Sequence, residues 1–201
     1  MDISYLKVSA ACPITDVANI EFNINNIKKC IEEAMARESK LIVFPELCIT
    51  SYTCGDLFFQ QKLLKKVNES LETLCMYSKD KDIFIAVGGP LLYNSTLYNC
   101  AYMIFKGQVL GIVPKSYIPN YTEFYEKRWF AEGLGLVNKK VDLPFQKQIS
   151  FGTNLIFCCE DIKIGFEICE DLWVTIPPSS YLSLLGANII CNLSASNEIV
   201  S

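Results

Sequence analysis

The apolar positions change period several times along the chain, and each change marks an element. Residues 3–10 alternate apolar and polar, which predicts a first strand. Over 15–37 the apolar residues Val17, Ile20, Phe22, Ile24, Ile27, Ile31 and Ala34 recur near the helical period. A continuous apolar run at 41–45 predicts a buried strand. Residues 56–78 return to helical spacing through Leu57, Leu63, Leu64, Val67, Leu71, Leu74 and Cys75. Segments 82–92, 97–105 and 108–113 read as strands, and the turn-like pairs Asn94-Ser95 and Lys106-Gly107 between them predict hairpins. Residues 120–131 read as a short polar helix or ordered loop. Strands at 154–159 and 162–168 flank the turn Glu160-Asp161. A helix over 178–186 then leads to a last strand at 187–193. Strands that alternate with helices and carry internal hairpins imply an α/β fold, a mixed sheet with helices on one or both faces.

A chain of 201 residues suits one domain, 1–201, with a substantial core. Neither a low-complexity linker nor an internal repeat divides it. The net charge of −4 gives no electrostatic reason to expect nucleic acid or an anionic membrane as partner. No apolar run reaches the roughly 18 residues a membrane span requires, and the N-terminus lacks a signal-peptide core. The ten cysteines lie mostly inside apolar segments (Cys30, Cys75, Cys100, Cys158, Cys159, Cys191), where a thiol behaves as a small hydrophobe. A reduced, cytoplasmic compartment is therefore expected. Without histidine or a Cys-x-x-Cys pair, no metal site is expected.

The chemistry concentrates on Cys169, which directly follows the predicted strand 162–168. A nucleophile at a sharp strand-to-helix turn projects into a cleft, with backbone N–H groups near for an oxyanion. Its neighbours Glu167, Glu170 and Asp171 are acidic and should raise the thiol pKa. With no histidine in the chain, the base and the cation must come from carboxylates and lysines. Glu46 ends the run Leu41-Ile42-Val43-Phe44-Pro45, and Lys115 ends Leu110-Gly111-Ile112-Val113-Pro114. Both sit where open α/β architectures deliver polar side chains, at strand C-terminal ends. A partly buried Glu46 suits a general base. Lys115 suits an oxyanion stabiliser that also offsets the carboxylates.

These three segments, in this order, resemble the carbon–nitrogen hydrolase (nitrilase) superfamily. VFPELCITSYTCGDLF (43–58), KSYIPNYTEFYEKRWF (115–130) and EICEDLW (167–173) are similar in particular to the glutaminase domain of glutamine-dependent NAD synthetases. The resemblance implies an αββα sandwich and a Glu–Lys–Cys triad: Glu46 as base, Lys115 as oxyanion stabiliser, Cys169 as acylated nucleophile. It implies a second glutamate, Glu126, beside the lysine. Tyr121, Glu170, Trp173 and Ser196 would line a pocket for L-glutamine, with Glu170 suited to the substrate's α-ammonium group. It also implies ammonia transfer to a separate synthetase domain that uses ATP and Mg, and a homo-oligomer. The domain itself would need no cofactor. The family's domain continues to further strands and an arginine for the substrate carboxylate. The span 1–201 is accordingly expected to be truncated at its C-terminal end and to turn over glutamine weakly alone. No Ser-Gly-Gly-x-Asp-Ser loop of the synthetase half occurs in it.

Two other readings stay open at this level. A stand-alone amidase on another small amide would use the same chemistry with a different pocket. A non-catalytic oligomerisation module would lack a triad member, whereas all three candidates are present. Because Cys169 alone among the ten cysteines occupies a polar strand-to-helix turn, a glutamine-mimicking electrophile should label it first. Mass spectrometry after limited alkylation checks this, and preferential labelling of Cys48, Cys54 or Cys158 would contradict the assignment.

Overall fold

The computed structural model describes residues 6–196, so residues 3–5 of the expected first strand lie outside the described residues. The elements are β1 (Val8–Ala10), α1 (Ile20–Ala36), β2 (Leu41–Val43), a 3₁₀ turn (Gly55–Phe59), α2 (Gln61–Ser78), β3 (Phe84–Tyr93), β4 (Thr96–Phe105) and β5 (Gln108–Pro114). The short strands β6 (Asn120–Tyr121) and β7 (Phe124–Tyr125) follow, then a 3₁₀ turn (Glu126–Arg128), β8 (Lys139–Leu143) and β9 (Gln146–Phe151). The remainder is β10 (Ile156–Cys159), β11 (Ile162–Ile168), a 3₁₀ turn (Cys169–Trp173), α3 (Pro178–Leu184) and β12 (Ile189–Leu193).

Two sheets stack as an αββα sandwich. The larger has the order β1-β2-β3-β4-β5-β9-β8, and the smaller is β10-β11-β12. The period-2 alternation of β4 shows how one strand serves two cores. Cys100, Tyr102 and Ile104 face the helix side, packing with Ile27, Ile31, Leu71 and Leu74 of α1 and α2. Ala101 and Met103 face the other way and meet Phe157, Ile164, Phe166 and Ile168 of the small sheet. A strand buried on both faces reads as a nearly continuous apolar run. On the far side of the small sheet, Leu182 of α3 lies against Gly165 of β11.

The hairpins are those the turn residues call for. Asn94 and Ser95 have φ of 48° and 61°, and Lys106 and Gly107 of 43° and 88°. Two successive left-handed residues match the twist of the flanking strands. Elsewhere the boundaries move. The helix expected over 15–37 starts at Ile20, because Asn19 caps it by accepting the Phe22 N–H at 3.4 Å. The helix expected over 56–78 breaks at Gln60, whose extended backbone (φ −81°, ψ 121°) separates the 3₁₀ turn from α2. Residues 120–131 form an ordered loop with a small hairpin and a 3₁₀ turn. The pair β8–β9 occupies 139–151, where periodicity predicted no element. Its buried positions Val141, Leu143, Ile149 and Phe151 do alternate, but among many lysines and glutamines. Cys158 is exposed, because the pleat of β10 turns Phe157 inward and its neighbour out.

No described helix is long and apolar enough to cross a membrane. The fold ties directly to Glu46 through β3. The Phe44 N–H donates to the Ala86 carbonyl at 2.9 Å and the Ile49 N–H to the Gly88 carbonyl at 3.1 Å. A Cβ on Gly88 would lie 2.4 Å from the Leu47 nitrogen and 2.7 Å from the Pro45 oxygen. Those are backbone atoms and cannot swing aside. Gly88→Ala should therefore cost about 1–3 kcal/mol by overpacking, measurable by urea denaturation. Wild-type stability in that variant would mean the 45–47 backbone is free to move.

Candidate active site

Three candidates leave the C-terminal ends of parallel-running strands: Glu46 after β2, Lys115 after β5, Cys169 after β11. Glu126 reaches the same place from the 3₁₀ turn after β7. Lys115 Nζ donates to Glu46 Oε1 at 2.6 Å and to Glu126 Oε1 at 2.7 Å, and all three side chains are withdrawn from solvent. Asn99 of β4 joins them, its Nδ2 donating to Glu46 Oε1 at 2.6 Å and to Glu126 Oε2 at 3.3 Å. The Tyr52 hydroxyl donates to Glu126 Oε1 at 2.7 Å.

One cation thus faces two carboxylates in a dry setting. Burial raises the Glu46 pKa to about 7, Lys115 pulls it back and Glu126 adds to the rise. Burial also works against the Lys115 charge, but Glu46 and Glu126 outweigh it and hold the lysine above its ordinary range. Glu46 is left able to exchange a proton near neutrality, with Lys115 kept charged beside it.

Cys169 is buried and adopts a left-handed φ of 45°, the strained backbone expected of a nucleophile on a sharp turn. Its thiol pKa is raised first by burial and then by the Glu46 charge. Hydrogen bonds from the Ser194 hydroxyl and the Ala195 N–H, together with the Lys115 charge, oppose the rise. The sequence expectation named other causes, and the structure gives those acids other partners. Glu167 accepts the Ser179 N–H at 3.1 Å at the start of α3, and the Asn192 amide at 3.4 Å.

Asp171 ties two of the candidate segments together. Its Oδ1 accepts the N–H groups of Ser116 at 3.0 Å and Tyr117 at 2.8 Å. Its Oδ2 accepts the Ile168 N–H at 2.9 Å. The residues next to Lys115 are thereby stapled to the turn that carries Cys169. Burial raises this carboxyl to about 6 against those backbone hydrogen bonds.

The remaining candidates lie outside the buried cluster. The Tyr121 hydroxyl donates to Glu170 Oε2 at 2.7 Å in an exposed setting. The Ser196 and Ser194 hydroxyls are 2.9 Å apart, which puts Ser196 one step from the thiol. Trp173, at the end of the same 3₁₀ turn as Cys169, is 73% exposed and is not drawn into the buried cluster. Tyr52, Asn99 and the Ser194–Ala195 segment were not singled out from sequence, and Asp171 was named there only as an acidic neighbour of Cys169. Only Asn99 left a plain signal there, as the amide inside the otherwise apolar run Leu97–Phe105.

With the geometry in hand, the comparisons place the chain. Residues 9–200 match the carbon-nitrogen hydrolase family model, and the chain belongs to that family. It is 36% identical over 196 residues to the glutamine-dependent NAD(+) synthetase of Mycobacterium bovis, covering 96% of this chain and 28% of the relative. It is 31% identical over 200 residues to the human glutamine-dependent NAD(+) synthetase, covering 95% and 28%. The crystal structure of a glutamine-dependent NAD(+) synthetase from Cytophaga hutchinsonii superposes with a TM-score of 0.83 at 29% identity, over 95% of this chain and 30% of that one. An amidase from Nesterenkonia sp. AN1, at 13% identity and a TM-score of 0.71 over 94% of this chain and 67% of its own, shares the fold. The chain spans a little over a quarter of the length of the synthetases it matches.

Removing the Asp171 carboxylate would strand three backbone N–H groups of the site. Each unpaired buried donor costs about 1–3 kcal/mol, part of which water entering the gap recovers. Asp171→Ala should lose about 2–4 kcal/mol in urea denaturation, and Asp171→Asn less. A variant as stable as the parent would show that the staple is dispensable.

Proposed function

We propose that the chain hydrolyses the side-chain amide of L-glutamine through Glu46, Lys115 and Cys169. The observation that carries this reading is the desolvated Lys115, 2.6 Å from Glu46 and 2.7 Å from Glu126, within electrostatic reach of the Cys169 thiol. Glu46 takes the thiol proton as the sulfur attacks the amide carbon. Lys115 and backbone N–H groups of the 169–173 turn hold the oxyanion. Glu46 then gives its proton to the leaving nitrogen, so the C–N bond breaks and ammonia departs. A water activated by Glu46 attacks the thioester, glutamate leaves and the thiol is restored. Glu126 keeps Lys115 charged and in place.

Glu170, steadied by Tyr121, suits the substrate's α-ammonium group by charge, and Ser196 and Trp173 complete the glutamine pocket in this reading. The names of the relatives support glutamine as the amide. They also support a parent protein with NAD as its product; in this reading the ammonia passes to a synthetase domain that uses ATP and Mg. The free thiols suit a cytoplasmic setting. The outward face of α3, where Tyr181, Leu184 and Leu185 stay exposed, suits self-association into a homo-oligomer.

Glutamate release by the full-length protein tests the reading. Glu46→Gln should lower the rate by about 10²–10⁴-fold. Because Glu46 must be ionised to accept the proton, kcat/KM should fall on the acid side with a midpoint near 7. Turnover of other small amides but not of glutamine would favour the stand-alone amidase instead.

A further inference from the structure

We propose that Asn99 is a positioning residue, the group that aims one particular oxygen of Glu46 at the Cys169 thiol. The inference rests on the catalytic reading above and adds a residue to it.

Asn99 is 1% exposed and touches three members of the site. Its amide nitrogen bonds both glutamates, and its backbone carbonyl accepts the Lys115 N–H at 2.8 Å. The consequence for Glu46 is geometric. Its Oε1 receives both Lys115 and Asn99 at 2.6 Å. Its Oε2 turns to the Ala195 N–H at 3.3 Å, in the segment whose Ser194 and Ala195 also act on the Cys169 thiol. With Oε1 taken by two donors, Oε2 is the oxygen left to face the thiol, which feels the Glu46 charge. The terminal torsion of a glutamate is broad and roughly two-fold, so a single contact does not select an oxygen. Lys115 is shared with Glu126 and cannot do so alone. A second donor on Oε1 does.

Two features separate this role from packing. The amide cannot turn over, because that would aim its oxygen at two carboxylates. In the orientation it keeps, Asn99 Oδ1 is buried with no hydrogen-bond partner among the described residues. An apolar side chain of the same shape would avoid that unsatisfied acceptor. A residue that breaks a folding rule within a cluster of charged groups is placed for the cluster.

Glu46 is faced by Lys115 after β5, Glu126 after β7, Tyr52 from the loop after β2 and Cys169 after β11. All of these remain when Asn99 is replaced, so a change in the Glu46 titration reports the lost donor. The test compares Asn99→Leu and Asn99→Asp with the parent in the full-length protein. The rate of Cys169 carboxamidomethylation by iodoacetamide is followed across pH by mass spectrometry of the Cys169 peptide, beside glutaminase kcat and KM. Asn99→Leu should slow alkylation about 10- to 100-fold near pH 7.5. Its acid midpoint should move upward, with kcat lowered and KM for glutamine little changed. Asn99→Asp keeps the shape but sets a third carboxylate against Glu46, so it should lose rate in the same way. It carries the test alone if Asn99→Leu does not fold. Alkylation needs no glutamine, so this arm gives an answer even if the protein proves not to be a glutaminase. An unchanged alkylation profile, or a uniform drop with the acid midpoint fixed, overturns the proposal.

Discussion

A lysine ammonium buried between two carboxylates organises this molecule. Removing one member of such a buried ionic cluster typically costs about 3–5 kcal/mol, because the remaining charge has no water to turn to. Glu46, Lys115 and Glu126 come from three separate segments, so the loops that bear them cannot drift independently. The surrounding contacts serve that constraint. Tyr52 holds Glu126. Asp56 grips Arg128 through Nε at 2.7 Å and Nη2 at 2.8 Å and also accepts the Trp129 indole N–H, locking the turn that follows Glu126. Exposed ion pairs are worth little singly, but a bidentate pair next to a buried charge cluster restricts motion where motion would be costly.

The sandwich explains how the cluster stays dry. Its core lies between the two sheets and under α1 and α2, while the strand C-terminal ends gather at one edge. Cys169 stands at that edge on a left-handed turn. Asp171, two residues on, binds the backbone beside Lys115. Cys169 from the small sheet and Lys115 from the large one are therefore registered by a single carboxylate. Burial raises the thiol and Glu46 together, so the resting site favours a proton kept on the pair.

Much of this was legible in the amino-acid order. The strands and helices followed from periodicity, and the hairpins from Asn94-Ser95 and Lys106-Gly107. Glu46, Lys115 and Cys169 stood out as polar residues closing apolar runs in a chain without histidine. The pair β8–β9 was not legible, because its few inward positions sit among lysines and glutamines and its register is set by β5. Nor could the chain order say which neighbouring acids act on the thiol. Glu167 and Asp171 lie close to Cys169 in sequence yet turn to backbone N–H groups and, for Glu167, the Asn192 amide, whereas Glu46, 123 residues away in the chain, is the carboxylate that raises the thiol.

What the sequence determined by itself was the set of elements and the chemical types at their ends, because alternation, capping and turn preference are local properties. What only the tertiary structure decided was which side chains share a dry space. The Lys115 pairings, the bridging amide of Asn99 and the Asp171 staple each join residues from different elements. Their strength comes from exclusion of water, and that exclusion exists only after the two sheets have closed on each other.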